Sequence, residues 1–367
     1  MLPELTRRLL IVWDNLHLEI DKPGDIYYLG IPGSIEGGTT TFLAFADNRR
    51  NPPIFAVKIL RHSKETEKFL NESKVLDYLQ TRNNISVSTP MVLFCDEVDG
   101  VWVLVQSILD GTPMNVFMLR SGEPELTDAI ANWKLASDWL ASLHGGNRGG
   151  ATASPSMLKQ NTQRMIGEFL AIYKLSLEEQ NYLDKVSNKL DLVTANGGYV
   201  QHGDFCRQNI LIPQMQIETK IRVIDWTDSK YAGLPLHDLI YFLATYFTQS
   251  RKQSGLRGFI QAFEYSFFDS TPYSKTLKQC LMLHCEKIGM GFSALDTLFA
   301  LFLIEKAVSE YHQLKRCAQH GMLPRIAIYF GLLQNANYKD IFKEQLWINY
   351  FRFFVKNQER FEHFYLA

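Results

Sequence analysis

His202-Gly203-Asp204-Phe205-Cys206-Arg207-Gln208-Asn209-Ile210-Leu211, followed after a turn by Val223-Ile224-Asp225-Trp226, is the stretch on which the fold hinges. Two carboxylates and one amide each stand beside a short apolar run that reads as a strand, so the three can converge from adjacent strand ends. Oxygen ligands of this kind suit Mg²⁺. Phosphoryl transfer from ATP needs such a set: a carboxylate near the acceptor hydroxyl, and an Asn and a second carboxylate holding metal on the phosphates. A His-x-Asp followed by Asn also arises by chance, so the surrounding chain has to decide its meaning.

On the N-terminal side, apolar residues recur at helix spacing over residues 4 to about 20 (Leu5, Leu9, Ile11, Val12, Leu16, Leu18) until Pro23-Gly24 stops the pattern. Residues 26–30, 39–46 and 54–60 are β-rich runs, residues 65–80 return to a helical period, and residues 90–95 and 101–108 are strands around the turn 96–100. That order predicts an antiparallel sheet of five strands with one main helix against it. After Asp110-Gly111 the chain becomes mostly helical. Residues 127–144 form one helix, Ser154-Pro155 starts another, and Ser176-Leu177-Glu178-Glu179 reads as a capping box opening a third. Two strand pieces, 199–212 and 221–226, carry the quoted motif, and helix is expected from residue 235 onward. The class is therefore α+β, with a sheet-bearing part over residues 1–108, leading helix included, and a larger helical part over residues 109–367.

Composition narrows the function. The 367 residues are 46% hydrophobic and 21% charged, with 38 Lys and Arg against 39 Asp and Glu, so no bulk charge draws the chain to nucleic acid. Five scattered cysteines argue against a disulfide framework and for a reducing cytoplasm. The apolar run at the N-terminus is too short for a signal segment, and no stretch reaches the length of a membrane span. Oligomeric state has no signal in the sequence.

The motif and its flanks resemble the aminoglycoside phosphotransferase and choline kinase-like branch of the protein-kinase fold. His202-x-Asp204-x-x-x-x-Asn209 is similar to its catalytic loop, and Ile224-Asp225-Trp226 stands in place of the kinase Asp-Phe-Gly. Leu140-Ala141-Ser142-Leu143-His144 and Gly233-Leu234-Pro235-Leu236-His237-Asp238-Leu239 resemble two further family elements. The resemblance implies a bilobal fold with ATP and Mg²⁺ as cofactors. It makes Asp204 the catalytic base or acceptor-orienting carboxylate, Asn209 and Asp225 the Mg²⁺ ligands, and His202 a brace for the loop. Phe55-Ala56-Val57-Lys58-Ile59-Leu60 matches the kinase strand whose Lys contacts phosphates, and an ammonium in an apolar run demands an anionic partner. Glu72 holds the family position for that partner. In the loop of residues 30–39, Ser34 and the backbone amides are expected on phosphate oxygens, and Gln106, Ser107 and Ile108 fall where the hinge backbone meets the nucleotide base. Hinge backbone rather than a side-chain motif chooses between ATP and GTP, so ATP is expected and GTP stays open.

The short segment between Asp225 and Asp238 leaves no room for a protein-kinase activation segment, so a small hydroxylated acceptor is expected. Asp238 reads as a cap for the next helix. From residue 251 on there are 15 Lys and Arg and 10 Asp and Glu, a surplus that disfavours a polycationic acceptor and leaves a sugar-like polyol slightly ahead of amino sugars and amino alcohols. Trp347, Tyr350, Phe351, Phe353 and Phe354 offer rings for a choline cage, but at helical spacing such a stripe is more often core. Cys280, His284 and Cys285 lack a second ligand pair for zinc. The alternative to an enzyme is a kinase-like protein that binds nucleotide or a partner without transfer.

Overall fold

Alternation of side chains along the strands builds the first part of the protein. In a computed structural model that describes residues 1–18, 20–31, 38–47, 50–116, 126–145, 153–213, 220–248, 256–319 and 345–366, five strands make one antiparallel sheet. They are β1 (Ile26–Ile31), β2 (Thr39–Ala46), β3 (Phe55–Leu60), β4 (Val92–Val98) and β5 (Val101–Ser107), in the order β1-β2-β3-β5-β4. Odd-numbered residues of β3 and β5, including Phe55, Val57, Val103 and Val105, pack with Leu5 and Leu9 of helix α1 (Leu2–Ile11) and with Trp13 and Leu16 of the 3-10 turn after it. Even-numbered residues face the other way, where Leu60 and Leu104 meet Phe69 of α2 (Thr66–Gln80). Register sets Lys58 opposite Leu104 and Ala56 opposite Gln106, so the lysine and the glutamine share the α2 face.

The leading helix is shorter than its apolar period suggests. It stops at Ile11, and Trp13–Leu16 tightens into a 3-10 turn. β-Branched Ile11 and Val12 weaken the helix there, and the tighter turn lets Trp13 reach the sheet, with its ring 6.5 Å from that of Phe55.

The chain divides into two compact units, Met1–Thr112 with Leu211–Ser229, and Pro113–Ile210 with Lys230–Ala367. The second is helical: α3 (Leu126–Gly145), α4 (Pro155–Ile172), α5 (Leu177–Asn188), α6 (Leu190–Thr194), α7 (His237–Thr248), α8 (Leu256–Phe267), α9 (Pro272–Ile288), α10 (Leu295–Gln319), α11 (Leu346–Lys356) and α12 (Gln358–Tyr365). Short strands β6 (Thr112–Pro113), β7 (Tyr199–Gln201), β8 (Ile210–Ile212), β9 (Arg222–Val223) and β10 (Lys230–Gly233) punctuate the chain, and β7 pairs antiparallel with β10.

Helix α10 is the axis of this second unit. Leu298 through Ile304 are all buried, so it is apolar all round and packs against α4, α7 and α11. Its neighbours carry clear end signals. Ser176 and Glu179 form the capping box that opens α5, Thr271 caps α9, and Gly289 at φ 69° closes α9 in the left-handed region that favours glycine. The aromatic run of α11 is core: Trp347, Tyr350, Phe351 and Phe354 are buried, and Tyr350 stacks on Phe263 of α8 at 4.2 Å. No single helix among the described residues is long and apolar enough to cross a membrane.

Candidate active site

In the first unit the alternation of β3 points Lys58 at α2, and α2 turns Glu72 to meet it. Glu72 lies one turn from both Phe69 and Leu76, on the helix face that the sheet covers. The Lys58 ammonium donates to Glu72 Oε1 at 2.6 Å, to Asp225 Oδ1 at 2.8 Å and to Thr227 Oγ1 at 2.9 Å. Gln106 Nε2 also donates to Glu72 Oε1, at 3.0 Å. Burial opposes the charge on Lys58, but the carboxylates of Asp225 and Glu72 outweigh it and hold the ammonium well above its ordinary range.

Exposure separates the two carboxylates. The Glu72 side chain is 0% exposed and that of Asp225 is 49% exposed, so Glu72 anchors the lysine while Asp225 can also reach a ligand. Asp225 takes φ 63°, a left-handed conformation unusual for a residue with a side chain. What holds it there is visible on both sides. Trp226 is fully buried with its indole N–H donating to Val223, Asn71 donates to the carbonyl of Ser229, and Lys68 pairs with Asp228 at 2.5 Å. With Thr227 donating its hydroxyl to Glu72 Oε2 at 3.0 Å, residues 227–229 are tied to α2 at three successive points. A strained backbone over-determined by its surroundings is common at functional sites.

In the second unit Asp204 is held by neutral donors. Tyr241 of α7 donates its hydroxyl to Oδ1 at 2.9 Å, and Asn209 donates its amide to Oδ2 at 2.8 Å. The same Asn209 nitrogen lies 2.9 Å from the Asp204 carbonyl. With both contacts made by nitrogen, the Asn209 amide oxygen is the atom left to face a cation. The Asp204 backbone N–H donates to His202 Nδ1 at 3.2 Å, which fixes that ring's proton on Nε2.

The loop itself is hung from a buried carboxylate. Asp238 accepts the backbone N–H groups of His202 at 2.7 Å and Gly203 at 2.9 Å, and Gly203 turns through φ 84° to make this possible. This replaces the expectation that Asp238 caps the following helix: it lies inside the first turn of α7, with its oxygens spent on the loop. His237 Nε2 approaches Glu305 to 3.1 Å without the alignment of a hydrogen bond, so that contact is electrostatic. Glu305 also takes Lys230 at 2.6 Å and Gln201 at 3.0 Å. Burial, then the Asp204 charge, pushes the Cys206 thiol up to about 12, so the cysteine in the loop is no nucleophile at neutral pH.

Of the residues singled out from the sequence, Lys58, Glu72, Gln106 and Asp225 come together in the first unit, and Asp204 and Asn209 in the second. Ser107 ends β5, its hydroxyl accepting from the Met91 amide, and Ile108 follows it. Ser34 lies outside the described residues, as does most of its loop. Thr227, Tyr241 and Lys306 were missed. None of the three carries a local signal: Asp225 turns through φ 63°, so strand alternation does not relate Thr227 to it.

Each unit offers an oxygen donor of the type that Mg²⁺ takes. Among the described residues no three His, Cys, Asp or Glu side chains are placed to hold a metal ion by themselves, and Mg²⁺ usually takes only one or two carboxylates and fills its shell with phosphate oxygens and water. In the first unit half-exposed Asp225 is a donor of that kind, and in the second unit the Asn209 amide oxygen is another, its nitrogen being spent on Asp204.

Solved structures similar to this chain include the GDP complex of aminoglycoside 2'-phosphotransferase-IIIa, at 16% identity over 88% of this chain and 95% of that one with a TM-score of 0.48. Another is aminoglycoside phosphotransferase APH(3'')-Id from Streptomyces rimosus with ADP and streptomycin, at 17% identity over 78% and 98% with a TM-score of 0.38. No curated protein matches the chain. The model of the phosphotransferase enzyme family matches residues 39–273, well over half the chain and all of the segment from Lys58 to Tyr241, and this chain belongs to that family.

Proposed function

We propose that the protein is an ATP-dependent phosphotransferase that moves the γ-phosphoryl group to a hydroxyl of a small molecule. The observation that carries this reading is the buried Lys58 ammonium, pinned by a sealed glutamate and by an aspartate that is still half open to solvent. A structural ion pair has no need of the second, exposed carboxylate. A phosphate-binding lysine next to a metal-binding carboxylate does.

In this reading Lys58 contacts phosphate oxygens and Glu72 keeps it extended. Asp225 and Asn209 hold Mg²⁺, which supplies charge neutralisation on the phosphates. Asp204 receives the proton of the acceptor hydroxyl as its oxygen bonds to the γ-phosphorus and ADP departs. Tyr241 and Asn209 fix the Asp204 carboxylate so that no reorganisation is needed at the moment of transfer. Backbone of residues 106–108 meets the nucleotide base, which admits GTP as well as ATP.

Release of ADP is the test, with a panel of sugars, amino alcohols and aminoglycosides as acceptors. Asp204→Ala and Asp225→Ala are each expected to lower acceptor-dependent turnover by at least about a thousandfold while the chain stays folded. Wild-type rates in either variant remove the role given to that residue. A chain that binds ATP and transfers to nothing is the kinase-like binding protein instead.

A further inference from the structure

We propose that the acceptor carries a negative charge, a carboxylate or phosphate in addition to its hydroxyl, and that Lys306 is the residue that reads it. This deepens the phosphotransferase reading and rests on it.

Lys306 of α10 brings a cation next to Asp204 from a different part of the chain. Its ammonium lies 3.7 Å from the centre of the Tyr241 ring and 5.9 Å from that of Trp347, and it donates to the Gly203 carbonyl at 3.2 Å. Gly203 is the residue before Asp204, and the Tyr241 hydroxyl is 2.9 Å from the Asp204 carboxylate. The ammonium is therefore one aromatic ring away from the group that meets the acceptor hydroxyl.

An ammonium has three N–H donors. One goes to the Gly203 carbonyl and the ring face of Tyr241 takes the cation from one side, but among the described residues no carboxylate pairs with Lys306. Its neighbour Glu305 is spent on His237, Lys230 and Gln201. The two Asp204 oxygens accept from Tyr241 and Asn209. Among the described residues this half-buried cation has rings and a carbonyl around it and no anion, and taking one restores what desolvation removed.

The aromatic walls decide against the opposite charge. Rings of Tyr241 and Trp347 stand 5.9 Å apart and are already occupied by the lysine, so they are not open as a cage for an ammonium ligand. A polycationic acceptor would be repelled at this point. The surplus of Lys and Arg over Asp and Glu from residue 251 onward, 15 against 10, has the same sign.

The test compares matched acceptors on the full chain with ATP and Mg²⁺: glycerate with glycerol, gluconate with sorbitol, and glucose 6-phosphate with glucose. In at least one pair kcat/KM for the charged member is expected to exceed that of its neutral partner by about tenfold or more, the size of one hydrogen bond to a charged group. Lys306→Met brings the charged member down to the level of the neutral one, and Lys306→Arg keeps the preference. The inference is overturned by the absence of a charge preference in every pair, by a Met variant that lowers both members equally, or by one that changes the KM for ATP instead. Calorimetry with ATP and Mg²⁺ separates the two layers: no nucleotide binding removes the phosphotransferase reading, whereas binding without a charge preference removes only the role of Lys306.

Discussion

The two clusters hold their key carboxylates by opposite means. Around Lys58 charge is held by charge: an ammonium inside the sheet–helix layer is balanced by Glu72 beneath it and Asp225 beside it. Around Asp204 the carboxylate is held by neutral donors, a tyrosine hydroxyl and an asparagine amide, on a loop whose own amides hang from Asp238. The first arrangement suits a group that must trade one anion for another, since an ammonium bound to carboxylates can pass to phosphates with its charge balanced throughout. The second suits a group that must keep its place and direction while a proton arrives, because neutral donors orient a carboxylate without consuming its charge.

Breaking the charge-held cluster has the largest expected effect on the fold. Lys58→Met leaves Glu72 buried without its counter-charge and should cost about 3 kcal/mol of stability in denaturant unfolding. A much smaller loss would mean that Gln106 and Thr227 alone can satisfy Glu72. Asp238→Ala attacks the second cluster at its support, leaving two buried amides without an acceptor. It should cost about 2 kcal/mol and lower kcat more than it raises the KM for ATP, as the loop loses its direction.

Gly233→Ala is a steric probe of the same support. A Cβ there would stand 2.7 Å from the Gln201 Cβ, so β7 and β10 must part. The expected cost is about 1–2 kcal/mol, with no change in nucleotide binding.

The smallest effect is on pH dependence and sharpens the contrast. His237 is raised above 6.5: burial works against its charge, but Glu305 and Asp238 outweigh it. A raised histidine contributes stability that is complete below pH 6.5 and is lost as the pH climbs through its folded value. Asp238 and Glu305 run the other way. Burial opposes their charge, but His237 outweighs it at Asp238, and His237 together with Lys230 outweighs it at Glu305, so both are lowered; their contribution holds above pH 3.8 and 4.5 respectively and is lost as the pH falls through their folded values. Melting temperature followed across pH should decline on the alkaline side in the wild type, and His237→Gln should flatten that arm. An unchanged alkaline arm would show that His237 carries no charge in the folded chain.

How far the sequence speaks differs between the two clusters for a physical reason. Strand alternation and helix period are local, so β3 and α2 could be drawn before any coordinates; the family resemblance then picked Lys58 and Glu72 within them, and their contact is present at 2.6 Å. The His202-to-Leu211 and Val223-to-Trp226 stretches likewise announce themselves by residue type. What surrounds Asp204 is assembled from α7, α10 and α11, and neither Tyr241 nor Lys306 has a neighbour in sequence that marks it. Asp238 shows the same limit on a smaller scale: an aspartate in a first helical turn reads as a cap, and only the path of the chain at His202 and Gly203 reveals where its oxygens go. The 3-10 tightening after Ile11 was hidden because apolar spacing alone cannot separate it from a continuing helix.

Calorimetry of ATP with Mg²⁺ on the wild-type and Asp225→Ala chains tests the central claim most directly. If the half-exposed carboxylate beside Lys58 holds the metal of a bound nucleotide, affinity falls by at least about tenfold in the variant. Equal affinity in the two chains would contradict the account.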